Sequence, residues 1–126
     1  MNENGKVNDQ FGGDGLTISH IQEDDIHVLS ARGYVDLSTL GHLDHALATM
    51  TELGPRRLIV DLSGVSFFSS SGAKLLLEAN KRLGSDCLAV VVEPGRVAGN
   101  ITRVVDPNDE LTRYESLESA LADARS

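Results

Sequence analysis

The sequence predicts an α/β domain built on a small mixed β-sheet with about four helices. Residues 58–62 (LIVDL) and 88–92 (LAVVV) are short aliphatic runs, the first framed by Gly54-Pro55 and Ser63-Gly64, as expected of central strands covered on both faces. Segments with apolar residues at helical spacing separate and follow them, and strands alternating with helices imply a mostly parallel sheet. An alternating stretch near the start adds an antiparallel hairpin.

The elements follow in order. Residues 1–14 (MNENGKVNDQFGGD) are polar and glycine-rich, offer only Phe11 for burial, and read as a mobile tail ahead of a domain over 15–126. Leu16, Ile18 and His20 alternate with Thr17 and Ser19, a half-buried strand. The polar turn at 23–25 leads to a second strand over 26–31 (IHVLSA). Leu40, Leu43, Leu47 and Met50 form one helical stripe, with Ser38 as its expected N-cap and Gly54-Pro55 as its stop. After the strand at 58–62 and a short apolar run over 65–68, a helix runs from about Ser71 to Leu83. It carries Gly72, Leu75, Leu76, Ala79 and Leu83 on its inner face and Lys74, Glu78 and Lys81 opposite. Leu77 falls among those charged positions. Pro94 suits the first turn of a third helix with Val97, Ile101 and Val104 inward, although Gly99 weakens it. Residues 111–114 read as a short edge strand. Ser116 caps a last helix with Leu117, Ala120, Leu121 and Ala124 inward.

Composition excludes several functions. The chain of 126 residues is long enough for one sizeable core, and with 4% aromatics and no Trp that core must be aliphatic. Nineteen acids against eleven bases give a formal charge of −8, which argues against nucleic acid and against an anionic membrane surface as partners. The single cysteine, Cys87, excludes an internal disulfide framework and fits a reducing compartment. No apolar run reaches the roughly 20 residues of a membrane span, and the N-terminus has no secretion-signal core, so the expected location is the cytoplasm.

Catalytic and metal-binding motifs are not found. His42 and His45, with Asp44 between them, read as a solvated helix face rather than a metal pair, because no third clustered ligand accompanies them. Gly12-Gly13-Asp14-Gly15 precedes a strand, whereas a phosphate loop follows one. Ser70-Ser71-Gly72 lacks the upstream glycine of a nucleophile elbow. No cofactor is implied, and Cys87 reads as a buried small hydrophobe. The informative feature is Ser69-Ser70-Ser71 between Phe67-Phe68 and a strong helix. One hydroxyl suffices to cap the helix. A phosphoryl group here would add about −1.5 to −2 charges at a helix N-terminus, where the dipole favours an anion. Such a site can switch binding without unfolding the domain.

Several motifs in sequence order resemble the STAS domain family, and within it the bacterial anti-sigma-factor antagonists. They are Gly33-Tyr34-Val35-Asp36-Leu37, the run from Leu58 to Val65, Phe67-Phe68-Ser69-Ser70-Ser71-Gly72, and the closing Tyr114-Glu115-Ser116-Leu117-Glu118-Ser119-Ala120-Leu121. The similarity spans about residues 15–125. It implies a compact domain with a curved sheet and helices mainly on one side. It also implies a non-enzymatic regulator that binds an anti-sigma factor, itself a serine kinase of the histidine-kinase-like ATPase class, and so releases a sigma factor. By the resemblance, the kinase phosphorylates the serine before the glycine, Ser71, with Ser70 as second choice, and a phosphatase reverses the step. The implied partner surface is Asp36, Ser69, Ser70, Ser71, Gly72, Lys74, Leu77, Glu78 and Lys81. Asp36 either helps form that surface or caps the first helix. Leu77 is either its apolar anchor or an ordinary surface leucine. Ser69 departs from the aspartate the family places there. That departure leaves an alternative function, a STAS scaffold or adaptor in a transport or stress-signalling complex without a phosphate cycle.

Overall fold

The structure, a computed structural model, describes residues 8–84 and 86–126. Its elements are β1 (Asn8–Gly13), β2 (Leu16–Glu23), β3 (Ile26–Val35), α1 (Leu40–Leu53), β4 (Arg57–Phe68), α2 (Ser70–Leu83), β5 (Leu88–Val91), α3 (Val97–Val105), β6 (Thr112–Tyr114) and α4 (Leu117–Arg125). The six strands form one sheet in sequence order, β1-β2-β3-β4-β5-β6. The first two pairings are antiparallel and the last three parallel. Among the described residues no helix is long and apolar enough to cross a membrane.

The main core lies under α1, α2 and α3. Leu16 and Ile18 from β2, Leu29 and Ala31 from β3, Leu58, Val60 and Leu62 from β4, and Leu88 and Val90 from β5 meet Leu43, Leu47, Met50, Leu76 and Ala98 from the helices. The opposite face is covered only in part. There α4 lays Ala120 and Ala124 on Ile26, Val28, Ile59 and Val91. Three helices on one face and one on the other agree with the fold class expected from the sequence.

Four details differ from the sequence reading, each for a physical reason. The expected tail contains a strand: β1 pairs along its length with β2, and Phe11 packs on the core and meets the His45 ring of α1 edge-on at 5.5 Å. The glycine-rich run is the turn of this hairpin. Gly12 has φ 112°, and a Cβ there would sit 2.2 Å from the Leu16 carbonyl oxygen. Residues 1–7 of the expected tail lie outside the described residues.

The expected break at Ser63-Gly64 is absent. β4 runs unbroken for twelve residues beside the ten of β3, with two register shifts that absorb the difference. At the start of α1 the cap position is Thr39 rather than Ser38. The Asp36 carboxylate accepts from the Ser38 N–H at 2.9 Å, the Ser38 hydroxyl at 2.7 Å and the Thr39 N–H at 3.3 Å.

The inner face of α3 is also different. Ala98, Gly99 and Thr102 are buried and Ile101 packs on the core as expected, while Val97 is exposed and Val104 is 75% exposed. A Cβ on Gly99 would stand 3.1 Å from the Glu93 carbonyl oxygen, so this helix crosses the end of β5 too closely for valine.

The chain between α3 and β6 is held by one buried carboxylate. Asp106, whose side chain is 2% exposed, accepts from the Glu110 and Leu111 N–H groups at 2.8 Å and pairs with Arg113 at 3.1 Å. Burial alone would raise this carboxyl; the two backbone donors and the Arg113 charge outweigh it and hold it below the ordinary carboxylate range. A lowered folded-state pKa means that the stabilisation is complete above the unfolded-state value and is lost as the pH falls through the folded one. Asp106→Ala is expected to destabilise the domain by roughly 3 kcal/mol at neutral pH, since it strands two N–H donors and leaves Arg113 only the exposed Asp109 as a charge partner. Urea melts of parent and variant should converge as the pH is lowered below about 4.

Candidate functional site

The site is built where β3 and β4 end side by side. Tyr34 pairs with Phe67 and Val35 with Phe68, so the chains leaving both strands emerge together. The Ser69 N–H continues the ladder by donating to the Val35 carbonyl at 2.9 Å. Ser69 is also the N-cap of α2: its hydroxyl accepts from the Gly72 N–H at 3.2 Å, and its carbonyl accepts from the Ala73 N–H at 3.2 Å. Ser70 and Ser71 therefore occupy the first turn, where backbone N–H groups have no intrahelical acceptor. Ser70 is exposed, Ser71 half-buried and Gly72 buried.

Gly72 is set by close approach. A Cβ there would lie 2.9 Å from Val35 Cγ1 and 3.1 Å from two ring atoms of Phe68, and both side chains are fully buried. Core packing thus draws the first turn of α2 tight against the sheet and fixes how Ser70 and Ser71 are presented.

Asp36 lies next to this turn through the pairing of Val35 with Phe68, while its carboxylate is committed to the entry of α1. The two readings of Asp36 are compatible: it organises the 36–39 loop beside the serines by capping. The Ser38 hydroxyl, with the N–H groups of Ser38 and Thr39, holds the Asp36 carboxyl below the ordinary carboxylate range against the opposing effect of burial. Lys74, Glu78 and Lys81 are exposed along α2. Leu77 differs from the anchor considered for it, being half-buried and packed against the main core.

Exposed apolar residues stand elsewhere at the same end of the sheet. Leu37 is 87% exposed, Phe67 50% and Tyr34 40%. Tyr34 and Phe67 are cross-strand neighbours, and Leu37 lies in the loop that Asp36 organises. Phe67 was missed because Phe67-Phe68 looks like one apolar unit, whereas strand alternation turns Phe68 inward and Phe67 out. Among the described residues no group of three His, Cys, Asp or Glu side chains is arranged to hold a metal ion.

The site is thus an α/β sheet end at which two parallel strands lead into a serine-capped helix beside a loop ordered by the Asp36 carboxylate. The family model for "Mlab, STAS domain" matches residues 19–105, and the chain belongs to the STAS domain family. It is 28% identical over 112 residues to the anti-sigma-F factor antagonist RsfB of Mycobacterium tuberculosis (strain H37Rv), covering 89% of this chain and 92% of that protein. The crystal structure of an anti-sigma factor antagonist from Mycobacterium paratuberculosis superposes with a TM-score of 0.80 at 27% identity, over 90% of this chain and 97% of that one. The anti-sigma factor antagonist SpoIIAA in its unphosphorylated form shares the fold, with a TM-score of 0.61 at 16% identity over 79% of this chain and 88% of that one.

Two substitutions probe the packing that shapes the site. Gly72→Ala is expected to cost about 1 kcal/mol or more, because the clash with Val35 and Phe68 exceeds the gain in helix propensity. Leu77→Asp is expected to lower the melting temperature, by roughly 1–3 kcal/mol of stability, because it places a charge against the core. An unchanged melting temperature for Leu77→Asp would return this residue to the surface.

Proposed function

We propose that this protein is an anti-sigma-factor antagonist: a binding protein, not an enzyme, that sequesters an anti-sigma factor and thereby frees a sigma factor. The observation that carries this reading is the juxtaposition at one end of the sheet. A serine-capped helix N-terminus presenting Ser70 and Ser71 stands beside the 36–39 loop and the exposed Tyr34, Leu37 and Phe67. The names of the relatives supply the class of partner.

The apolar side chains are the docking anchors, since exposed aromatic and aliphatic residues in one patch supply most binding energy at protein interfaces. Ser71 is the switch, phosphorylated by the anti-sigma factor acting as a serine kinase of the histidine-kinase-like ATPase class and restored by a phosphatase. Ser70, the more exposed hydroxyl, is the second acceptor. A phosphate in the first turn meets the unpaired N–H groups and the positive end of the helix dipole, so the fold tolerates it. The partner, packed against that turn, meets a dianion where a hydroxyl had been. Lys74, one turn further on, is placed to screen the charge within the domain.

Ser69 supports one second reading. It caps α2 but lacks the negative charge of the family aspartate beside the acceptor, which fits a STAS adaptor that docks without a phosphate cycle.

Calorimetry with the purified anti-sigma factor tests the proposal. Ser71→Ala is expected to bind as the parent does and to resist phosphorylation by the kinase, while Ser71→Glu weakens binding at least roughly tenfold. Leu37→Asp and Phe67→Ser are expected to weaken binding by a similar factor without moving the melting temperature, since neither side chain is buried. Parent-like affinity of Ser71→Glu, with no phosphate transferred to the parent, would favour the adaptor. Parent-like affinity of both apolar variants would place the docking surface elsewhere.

A further inference from the structure

A cavity of about 180 Å³ lies on the α4 side of the sheet, around the first residues of β4 and β5. Its position is remote from the serines. Arg57 opens β4 and Phe68 closes it, so at about 3.3 Å per residue the two ends are roughly 35 Å apart. The walls come from β4, β5, β6, α4 and the turn before β5, and include Arg57, Ile59, Asp86, Tyr114, Asp123 and Ala124.

Arg57 is the unusual member. The neighbouring Arg56 is paired, donating from Nε to Asp25 and from Nη2 to the Ala124 carbonyl, each at 2.8 Å. Arg113, also half-buried, is paired with Asp106 and Asp109, so that although its Nε is buried without an acceptor its charge is compensated. The Arg57 guanidinium makes no hydrogen bond or ion pair among the described residues, and its Nε is buried without an acceptor. An unsatisfied buried donor of a charged group is costly and uncommon in folded proteins. The nearby acids do not take the role. Asp123 accepts from the Tyr114 hydroxyl, and Asp86 lies exposed on the turn.

The chemistry of the walls selects a ligand class. A guanidinium fork matches a planar carboxylate with two parallel N–H donors. Ile59 and Ala124 offer apolar surface beside it. Asp86 and Asp123 disfavour a dianion, and so favour a carboxylate over a phosphate. The volume suits a compact body, since a cavity of about 150 Å³ holds a benzene ring. We infer that this cavity binds a small monocarboxylate with a compact apolar body of about the size of benzoate, the carboxylate on Arg57 and the body against Ile59 and Ala124. The inference does not rest on the antagonist role of the serine end.

Titration of the ¹⁵N-labelled full chain with benzoate, followed by amide chemical shifts, tests it. Saturable shifts are expected in the first residues of β4 and β5 and in α4, with a Kd of about 1 mM or tighter, while inorganic phosphate at equal concentration produces none there. Arg57→Gln should weaken benzoate at least roughly tenfold. Asp86→Asn lies on the exposed turn and leaves Arg57 in place, so it serves if Arg57→Gln does not fold; it should tighten benzoate about twofold or more at low salt. The inference is overturned by shifts that do not saturate up to about 20 mM. It is equally overturned by unchanged affinity in Arg57→Gln or Asp86→Asn, by phosphate competing on equal terms, or by shifts confined to the first turn of α2, which would assign the binding to the helix N-terminus.

Discussion

The parallel pairing of β3 with β4 is the constraint on which the other features of this domain depend. Twelve residues of β4 lie beside ten of β3, and the two extra residues enter as register shifts opposite Ala31 and around Gly33. Each shift reverses the face on which the following β4 side chains fall. Leu58, Val60 and Leu62 point into the main core at every second position; after the first shift the inward residue is Val65, and after the second it is Phe68. The strand therefore ends with Phe68 buried and Phe67 in solvent, opposite a β3 that ends with Val35 buried and Tyr34 in solvent. The serine turn follows from this arrangement. Val35 receives the Ser69 N–H, and the contact of Val35 and Phe68 with Gly72 seats the first turn of α2.

Much of this was legible in the sequence, and the parts that were not share a cause. The fold class, the central strands, the inner stripe of α1 and the Ser116 cap of α4 followed from periodicity and end signals. These elements are long, or buried on a face whose period the sequence repeats. The continuity of β4 was hidden because a bulged strand spaces its inward residues by three, and Ser63-Gly64 at the first bulge resembles a turn. β1 was hidden because an edge strand held by backbone hydrogen bonds and a single phenylalanine has no apolar alternation to read. The misplaced face of α3 is the reverse situation. Its valines are spaced like a core stripe, but the helix sits so near the end of β5 that Ala98, Gly99 and Thr102 take the buried positions, with Ile101 and Val105 packing at the margin. The serine end was located from its motif, while Tyr34, Leu37 and Phe67 depend on which way each side chain turns at a strand end, a quantity set by pairing.

Ser69 shows how one position can keep its structural task and change its electrostatic one. Serine and aspartate cap helices about equally well, so the turn that presents Ser70 and Ser71 does not require the carboxylate. What serine lacks is the standing negative charge at that point. An aspartate already partly satisfies the positive end of the helix dipole, and a phosphate added two residues later would then be placed against a like charge. With Ser69 the capping side chain of α2 carries no charge. The standing negative charge nearest this turn is instead that of Asp36, whose carboxylate is spread over hydrogen bonds from Ser38 and Thr39.

The two ends of β4 carry opposite kinds of unfinished business. At Phe68 the strand leads into N–H groups without acceptors and apolar side chains without cover, both of which a protein surface can satisfy. At Arg57 it begins with a guanidinium lacking an anion, in a cavity of a size for a small molecule. Both sites rest on one continuous, centrally paired strand rather than on mobile loops, which gives each the rigidity that selective binding needs. Rigidity also limits what one end can tell the other. Coupling requires two arrangements of the intervening structure that the ligands favour differently, and β4 is held in one register by β3 along its length and by β5 over residues 58–61. Sites roughly 35 Å apart on such an element act independently unless the bulges opposite Ala31 and Gly33, its two irregular points, shift register.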